Sequence, residues 1–482
     1  MRINGRNRHR HNVGLFLCRC LQPVNHGPVH LVDITMFYPP QSGGARTYLR
    51  AKSRWLHRHT RMRHSVIAPR APQRGQRRHR YDASGAGEAS AARDGGGERE
   101  LLRDQSALGS TMATVDPALD PTIDPTINPT INPTINPTID PTIDPALDPA
   151  DECMQEPELI ALPSLPVPWN SGFRWPLSTA AATRCLMQLA PALIEAGDPY
   201  QCAWSALQAR DRLRCHALIF HHSDLPHLAE ERLGGLARIA AERYLQRLYR
   251  EFDSVLAPSA TMAAGLRALG IARVTLQPLG VDTRLFSPLR RDPGLRARLG
   301  IAPDTCLLVY AGRFSREKNL ASLVSAVRRL GRGFHLLLIG AGEWRATGPQ
   351  ISVLDFERSE AALAALLSAC DLFVHPGPHE TFGLVVLEAM ACGLPVLGVR
   401  AGGVGELVDE GVGWLVDDGS PDALCEGLRQ LATSDLRQLG RQARRRACLR
   451  HDWHCVLPQL VSQYLQLAGA DAFVVQPSLA TG

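Results

Sequence analysis

Two carboxylates, Glu380 and Glu388, stand eight positions apart in the run HETFGLVVLEAMACGLPVL, near a predicted helix start at Gly383. Free N–H groups and roughly half a positive charge at such a start suit a phosphate or diphosphate. Glu388 lies some five residues inside the helix, about 8 Å along its axis. Because carboxylates repel phosphate, both acids are predicted to accept hydrogen bonds from sugar hydroxyl groups at opposite ends of one ligand.

The flanking residues predict the elements that position these acids. An apolar strand precedes a loop of Pro, Gly and His, and Gly393 and Pro395 end the helix that follows. The predicted order is strand Asp371–Val374, loop His375–Glu380, helix Phe382–Ala391 and strand Val396–Val399. This order is typical of a doubly wound sheet, in which ligands bind at the carboxyl ends of the strands.

Two other interpretations of this segment do not involve ligand binding. Glu388 could cap a surface helix, or the eighteen residues Phe382–Val399, which carry one charge, could span a membrane. Glu388, Gly393 and Pro395 interrupt such a span and argue against it, since lipid-exposed backbone would be left unpaired.

The same run resembles the acid-x7-acid segment of the retaining family 4 glycosyltransferases, enzymes of the GT-B fold that use nucleotide sugars. Both acids, the intervening Phe-Gly and the trailing Gly-x-Pro-Val fall in register. The resemblance implies an α/β protein of two Rossmann-like, doubly wound domains facing across a cleft. It also implies that Glu388 binds ribose hydroxyls, that Glu380 binds the sugar, and that Phe382, Gly383 and Leu384 line the donor site.

A loop with three cations follows the predicted strand Leu307–Tyr310, in the sequence AGRFSREKN. Cations beside Gly312 suit a diphosphate, whereas the alternative is a solvated surface loop. The resemblance implies that Arg313 and Lys318 hold the leaving diphosphate. A further strand ends at Gly340, where family members place nucleotide-binding backbone.

The N-terminal part of the chain predicts a strand over Val29–Phe37, a turn at Gly43 and Gly44, and a helix over Arg46–His59. A glycine pair lets backbone approach a ligand closely, although the pair alone is a weak signal. In GT-B enzymes such a loop faces donor and acceptor across the cleft.

A second candidate site follows the predicted strand Ala217–Phe220, in the turn His-His-Ser-Asp. A histidine there can donate to a sugar hydroxyl or a phosphate oxygen, but a lone histidine is more often structural. The resemblance implies that His222 and Asp224, more than His221, contact the donor sugar.

The remaining pattern divides the chain into predicted domains. Other predicted elements are strands His64–Pro69, Ser254–Ala257, Thr275–Leu279 and His335–Ile339, and helices Thr183–Ala196, Tyr200–Arg212, Leu228–Phe252, Pro421–Ala432, Leu436–Leu449 and Trp453–Leu467. The predicted domains are a disordered basic leader (1–28), an acceptor-side domain (29–288), a nucleotide-sugar domain (289–450), a helix returning to the first domain (451–470) and a tail (471–482).

A low-complexity insertion, 70–158, interrupts the first predicted domain. Residues Asp116–Pro149 repeat Asp/Asn-Pro-Thr/Ala-Ile/Leu, and proline at every fourth position excludes helices and sheet ladders. We expect a disordered surface insertion, with a partner-binding repeat as the alternative.

Charge is concentrated at the N-terminal end. Residues 1–100 hold 19 Lys and Arg against 6 Asp and Glu, a net charge of +13, so the rest of this +6 chain carries −7. Without interleaved aromatic residues this basic stretch does not predict nucleic-acid binding. It favours peripheral contact with an anionic membrane.

Twelve cysteines occur without a repeated metal-ligand spacing, and no secretory signal follows Met1. A cytoplasmic location is therefore expected. No Asp-x-Asp stands near the predicted diphosphate site, so the sequence predicts an enzyme without metal or other cofactor.

Together these features predict transfer of a hexose from a nucleotide diphosphate sugar to a saccharide or lipid-linked hydroxyl acceptor, with retention, in polysaccharide or glycolipid biosynthesis. The alternatives are a nucleotide-sugar epimerase or phosphorylase of the same fold, and a non-catalytic scaffold.

Overall fold

Two parallel sheets form the framework of the computed structural model, which describes residues 29–38, 43–70, 157–167, 174–342, 344, 346–355 and 359–469. Successive residues of a strand enter different hydrophobic clusters: Leu31 packs into one and Val32 into another. Each sheet is thus buried on both faces, which explains why its strands are apolar runs rather than alternating patterns.

The first sheet has seven strands among the described residues, in the spatial order β3-β2-β1-β6-β7-β8-β9. Its strands are β1 (His30–Ile34), β2 (Arg63–Pro69), β3 (Glu158–Leu162), β6 (Leu193–Ala196), β7 (His216–Phe220), β8 (Ser254–Ala257) and β9 (Val274–Leu276), and β4 (Ser164–Pro166) and β5 (Arg174–Pro176) form a separate hairpin. Its helices are α1 (Gly44–His59), α2 (Thr179–Leu189), α3 (Gln201–Leu213), α4 (Leu225–Leu233), α5 (Gly235–Tyr249) and α6 (Ala260–Ala268).

The second sheet has the order β12-β11-β10-β13-β14-β15. Its strands are β10 (Cys306–Ala311), β11 (Phe334–Ile339), β12 (Ile351–Leu354), β13 (Leu372–His375), β14 (Val396–Val399) and β15 (Gly413–Val416). The accompanying helices are α7 (Leu295–Arg298), α8 (Leu320–Leu330), α9 (Glu360–Ser368), α10 (Leu384–Ala391), α11 (Gly402–Leu407), α12 (Pro421–Ala432), α13 (Leu436–Arg446) and α14 (Trp453–Leu467).

The strand order of the second sheet reverses between β10 and β13. These strands pair in parallel, with Leu308 opposite Leu372, so the loops at their carboxyl ends lie side by side. Such a switch point is where doubly wound sheets bind ligands. The α/β fold class predicted from the sequence is confirmed.

Two sequence predictions of secondary structure are wrong. The predicted helix Thr183–Ala196 ends at Leu189, because Ala190 takes a left-handed conformation (φ 44°) ahead of Pro191, and Leu193–Ala196 is a buried strand. The predicted helix Leu228–Phe252 is two helices, α4 and α5, separated by Gly234 at φ 85°.

The last helix, α14, has the predicted bounds and lies against the N-terminal half. Asp452 caps it by accepting from His454 N at 2.8 Å and forms a bridge with Val281. The predicted leader 1–28, most of the predicted insertion 70–158 and the predicted tail 471–482 lie outside the described residues. Within the described ranges, no helix combines the length and apolar character needed to cross a bilayer.

Candidate active site

A lysine, a glutamate and a histidine meet where the loops after β10 and β13 adjoin. Glu380 Oε2 accepts from Lys318 Nζ at 2.6 Å and lies 3.3 Å from His375 Nε2. The Lys318 and Glu380 side chains are 13% and 20% exposed, whereas His375 is 1% exposed. We call these three residues the cleft cluster; its two charged members retain contact with solvent.

The two strands explain why these side chains meet. His375 is the last residue of β13, and Lys318 ends a 3₁₀ turn that leads from β10 into α8. Asn319 then fixes this turn to the neighbouring loops, since its side-chain amide donates to Pro376 O at 3.2 Å and to Gly419 O at 2.7 Å. The predicted Lys318 and Glu380 are therefore brought together.

Opposite effects act on the two acids Glu380 and Glu388. Burial alone would raise the pKa of Glu380, but Lys318 and His375 outweigh it and hold that pKa far below its ordinary value. Burial, reinforced by Glu360, raises the pKa of Glu388 to about 8. Glu380 is thus a fixed anion, whereas hydroxyl donors on a ligand would favour ionisation of Glu388.

The starts of α10 and α1 face each other from the two halves of the chain. A Cβ placed on Gly44 would lie 3.0 Å from Leu384 Cδ1, and Gly43 and Gly383 immediately precede the two helices. Four of the predicted donor-site residues therefore lie at one contact between the two halves. The first backbone N–H groups of a helix have no partner within the helix, which suits such a position to an anion.

Close packing braces the loop that carries Glu380. A Cβ on Gly402 would lie 2.4 Å from Glu380 O, and a Cβ on Gly403 would lie 2.4 Å from Phe382 Cα. In addition, Gly403 N donates to Glu380 O at 2.8 Å. The Phe382 side chain is buried in the core. In its predicted place in the donor site, Phe382 could therefore contact a donor only through its backbone.

Arg313 lies apart from the cleft cluster. Its side chain is 71% exposed, with Nη2 3.5 Å from Glu317 Oε1. The predicted turns at Gly312 and Gly340 abut, since a Cβ on Gly340 would lie 1.9 Å from Gly312 O. Only glycine fits there, which lets the turns after the two strands pack against each other.

His222 joins the site from the N-terminal half. Its ring stacks on Phe220, with centroids 4.2 Å apart, and its backbone oxygen accepts from Thr381 Oγ1 at 3.2 Å. Burial, followed by the charge of Lys52, lowers the pKa of His222 to about 3. A neutral imidazole is thus held next to the loop of Glu380.

Matches to known proteins cover both sheets. The description "Glycosyltransferase Family 4" fits residues 142–285, and "Glycosyl transferases group 1" fits 293–446. A GDP-mannose-dependent alpha-(1-6)-phosphatidylinositol dimannoside mannosyltransferase of Mycobacterium tuberculosis is 30% identical over 305 residues, which are 60% of this chain and 77% of that protein. The chain belongs to the family 4 glycosyltransferases.

Other relatives and solved structures agree with this assignment. A GDP-mannose-dependent alpha-mannosyltransferase of Mycolicibacterium smegmatis is 35% identical over 45% of this chain and 58% of its own length. Sucrose-phosphate synthase from Thermosynechococcus elongatus superposes with a TM-score of 0.63 at 19% identity, covering 92% of this chain and 99% of that one. A glycosyltransferase from Rickettsia africae gives 0.60 at 13% identity, with the same coverage. The GT-B fold and the hexosyltransferase activity follow: the enzyme uses a nucleotide sugar in glycolipid or polysaccharide biosynthesis.

Asp224 of this glycosyltransferase has a structural contact in addition to its predicted role. Its carboxylate caps α4 by accepting from His227 N at 3.2 Å. The ring of His227 stacks on His379, with centroids 3.7 Å apart. The capped helix thus presents a histidine to the loop of Glu380.

The sequence reasoning gave no role to several residues of the site in this glycosyltransferase. His375 directly follows a predicted strand and His379 directly precedes Glu380, which were the available signals. Glu406 contacts the other half of the chain, accepting from Ala260 N at 2.8 Å and Thr261 N at 2.6 Å. A carboxylate of α11 thereby caps α6, and no local pattern reveals that pairing.

Proposed function

We propose that this glycosyltransferase moves mannose from GDP-mannose to a hydroxyl of a lipid-linked saccharide, with retention of configuration. The mannosyltransferase relatives favour this donor and a lipid-linked acceptor. The observation that supports the site is the contact of Lys318 with Glu380 beside the start of α10 and the loop of His222.

The diphosphate and the sugar of the donor would each bind a different residue of the cleft cluster. Lys318 and Glu380 neutralise each other without a ligand, at an N–O distance of 2.6 Å. A diphosphate would draw Lys318, while a sugar hydroxyl would donate to Glu380, so each partner exchanges one charge-assisted contact for another. Donor binding therefore leaves neither group unpaired.

Charge on the departing diphosphate is neutralised by Lys318, by the free N–H groups near Gly383 and by Arg313, which turns in from solvent. Glu388 accepts from ribose hydroxyls, and the neutral His222 contacts the sugar together with Asp224. In this arrangement the enzyme needs no metal ion. The catalytic cation is a side chain.

The acceptor proton also needs no protein base. The bond from the anomeric carbon to the diphosphate oxygen breaks, and the bond to the acceptor oxygen forms on the same face. The acceptor proton passes to the departing phosphate oxygen. This oxygen becomes basic as the bond breaks, through an oxocarbenium-like state that Glu380 stabilises.

The enzyme works in the cytoplasm, at the inner face of an anionic membrane. The net charge of +13 on residues 1–100 supports this location, because each basic residue near such a surface contributes about 1 kcal/mol. A lipid-linked acceptor would be presented there.

A donor screen tests the proposal. The melting temperature of the full chain should rise with GDP and GDP-mannose more than with UDP- or ADP-sugars, because a ligand that binds only the folded state stabilises it. Turnover of GDP-mannose should continue in excess EDTA. A preference for UDP-sugars would overturn the donor, and activity that EDTA abolishes and Mg²⁺ restores would overturn metal independence.

A further inference from the structure

A lysine is fully enclosed inside the N-terminal half, below the turn of His222. The Lys52 side chain is 0% exposed, and Nζ donates to Asp33 Oδ1 and to Glu195 Oε1, both at 2.8 Å. Lys52 belongs to helix α1, and its two partners come from the neighbouring strands β1 and β6. A buried ammonium requires such partners, since an unpaired one would cost several kcal/mol.

Two tyrosines complete the surroundings of Lys52. Nζ lies 3.2 Å from the hydroxyl of Tyr48 and 3.1 Å from that of Tyr464, which belongs to α14. Both hydroxyls donate to Glu195, Tyr48 at 2.9 Å. The helix that returns from the C-terminal half is thus hydrogen-bonded into a network centred on Lys52.

Burial and ion pairing act in opposite directions on the two carboxylates of this network. Lys52 and His64 overcome the effect of burial and lower the pKa of Asp33 to about 2, while burial raises the pKa of Glu195. His64 Nε2 contacts Asp33, and the His64 Nδ1 atom is buried without a hydrogen-bond partner among the described residues. Lys52 is therefore the main counter-charge of Asp33.

The network continues directly to His222. The Tyr48 ring centroid lies 5.6 Å from that of His222, and Lys52 Nζ lies 4.7 Å from the Tyr48 centroid. The charged and titratable groups around His222 are Lys52 and Tyr48 from α1, Asp33 from β1 and the neighbouring His221. Tyr48 therefore lies between Lys52 and His222 and contacts both.

We propose that Lys52 is a positioning residue for sugar transfer: it fixes the Tyr48 ring beneath His222 and, through Tyr464, ties α14 to the same point. The turn of His222 then meets Thr381 of the opposite half in one geometry. The proposal rests on the proposed function for the role of His222 in transfer. Lys52 itself, being fully buried, touches no substrate.

Stability alone does not account for this network. A buried ion pair is often no more stable than apolar side chains of similar volume, whereas a fully satisfied polar network specifies one arrangement. Four elements converge on one nitrogen atom here, including the helix that joins the halves. The arrangement that it specifies includes the position of His222.

The test compares Lys52→Met and Tyr464→Phe with the parent, at a temperature where all are folded. In both variants kcat should fall about 10- to 100-fold while the donor KM changes little, since a small misplacement of a catalytic group costs rate. In Lys52→Met, the ¹³C-histidine NMR signal of His222, assigned by its loss in His222→Gln, should titrate at higher pH than in the parent, because a neighbouring cation is gone.

Tyr244→Phe is the matched control. Tyr244 also lies in the N-terminal half, donating to Pro199 O at 2.6 Å and accepting from Trp204 Nε1 at 3.0 Å, outside the network. It should lower the melting temperature without changing kcat. If Lys52→Met does not fold, Tyr464→Phe, which lacks one hydroxyl, decides the question by kcat and by faster amide exchange in α14.

The positioning role would be overturned if Tyr464→Phe kept the parental kcat and the parental amide exchange in α14. It would also be overturned if folded Lys52→Met kept the parental kcat and the parental titration of His222. Failure of the proposed function looks different: His222→Gln would then retain full transfer activity. The His222 titration would still move in Lys52→Met, because it does not depend on catalysis.

Discussion

Two clusters of lysine, carboxylate and histidine lie in this protein, one in each half. The cleft cluster joins Lys318 to Glu380 at 2.6 Å with side chains 13% and 20% exposed, whereas Lys52 and Asp33 are joined at 2.8 Å with side chains 0% and 3% exposed. The residue types and distances are nearly the same. Solvent access and the number of further partners distinguish a site from a scaffold.

The two clusters also differ in how many further partners contact their charged groups, and this decides whether a ligand could bind to them. Around Lys52, a second carboxylate and two tyrosine hydroxyls surround the ammonium on all sides. In the cleft cluster both contacts of Glu380 use Oε2, so a sugar hydroxyl can approach Oε1 without first displacing Lys318 or His375. Of these two clusters, the cleft cluster is the one whose charged side chains keep partial contact with solvent.

The largest expected difference between the clusters is in the free energy of unfolding that is lost when the lysine of each is replaced. Lys52→Met should lower the free energy of unfolding by about 3–5 kcal/mol, because it leaves Asp33 buried without its main counter-charge. Lys318→Met should lower it by about 1 kcal/mol or less, since its partner can be hydrated. Urea denaturation followed by circular dichroism measures both. Equal losses would remove the distinction between scaffold and site.

Catalysis should show the reverse order. Lys318→Ala should lower kcat by about 10- to 150-fold, which corresponds to the 1.5–3 kcal/mol of a charge-assisted contact. Arg313→Ala should also lower kcat, by less, because that side chain is exposed and must be ordered by the donor. Arg400→Ala, which removes an exposed arginine paired with Asp417, is the control and should leave kcat at the parental value. A larger loss in Arg313→Ala than in Lys318→Ala would show that the cleft cluster is not the main diphosphate site.

A smaller effect concerns the pH dependence of stability. The pKa of Glu388 rises from an ordinary 4.5 to about 8 in the folded protein, so the folded state binds more protons than the unfolded state between these values. Stability should therefore fall as pH rises through that window. Glu388→Gln should flatten this part of the melting-temperature curve, whereas Glu426→Gln, at a side chain 73% exposed, should not. An unchanged curve in Glu388→Gln would contradict the assigned environment.

The smallest expected effect is at the contact between α11 and α6. Glu406→Ala should destabilise the protein by about 1 kcal/mol, as for loss of a helix cap, and should speed amide exchange at Ala260 and Thr261. Asp435→Ala removes a comparable cap of α13, where Asp435 accepts from Arg437 N at 3.0 Å. It should leave exchange at α6 unchanged. Identical exchange at α6 in both variants would mean that Glu406 does not hold the two halves together.

The difference between the clusters also explains what the sequence could predict. The cleft cluster follows from short segments: a strand, a loop ending in Glu380 and a helix, with Lys318 in another loop after a strand. Adjacent parallel strands bring such loops together. Strand and helix patterns placed Lys318 and Glu380 in loops that each follow a strand, whereas the resemblance to family 4 glycosyltransferases assigned both residues to one donor site.

The buried cluster depends on contacts that no local pattern shows. Tyr464 is 412 residues from Lys52 in sequence, and Glu195 lies in a strand that was mistaken for the end of a helix. Four residues are too few for a clear strand period, and the preceding helix appeared to continue. Ala190-Pro191 was the signal that could have divided them.

The insertion shows a further limit of pattern reading. Strands β2 and β3, on either side of it, pair in parallel, with Pro69 opposite Leu162 and Ser65 opposite Glu158. The end of β2 and the start of β3 therefore lie at opposite edges of the sheet. A linker that replaces 71–156 must span this distance, which takes about a dozen residues.

The central claim is that the cleft cluster carries out sugar transfer. Its most direct test measures GDP-mannose turnover and GDP affinity in Glu380→Ala. We predict that kcat falls by about 10- to 150-fold, the range for a lost charge-assisted contact, while the Kd for GDP stays near the parental value because Glu380 contacts the sugar. Parental turnover in Glu380→Ala would contradict the account.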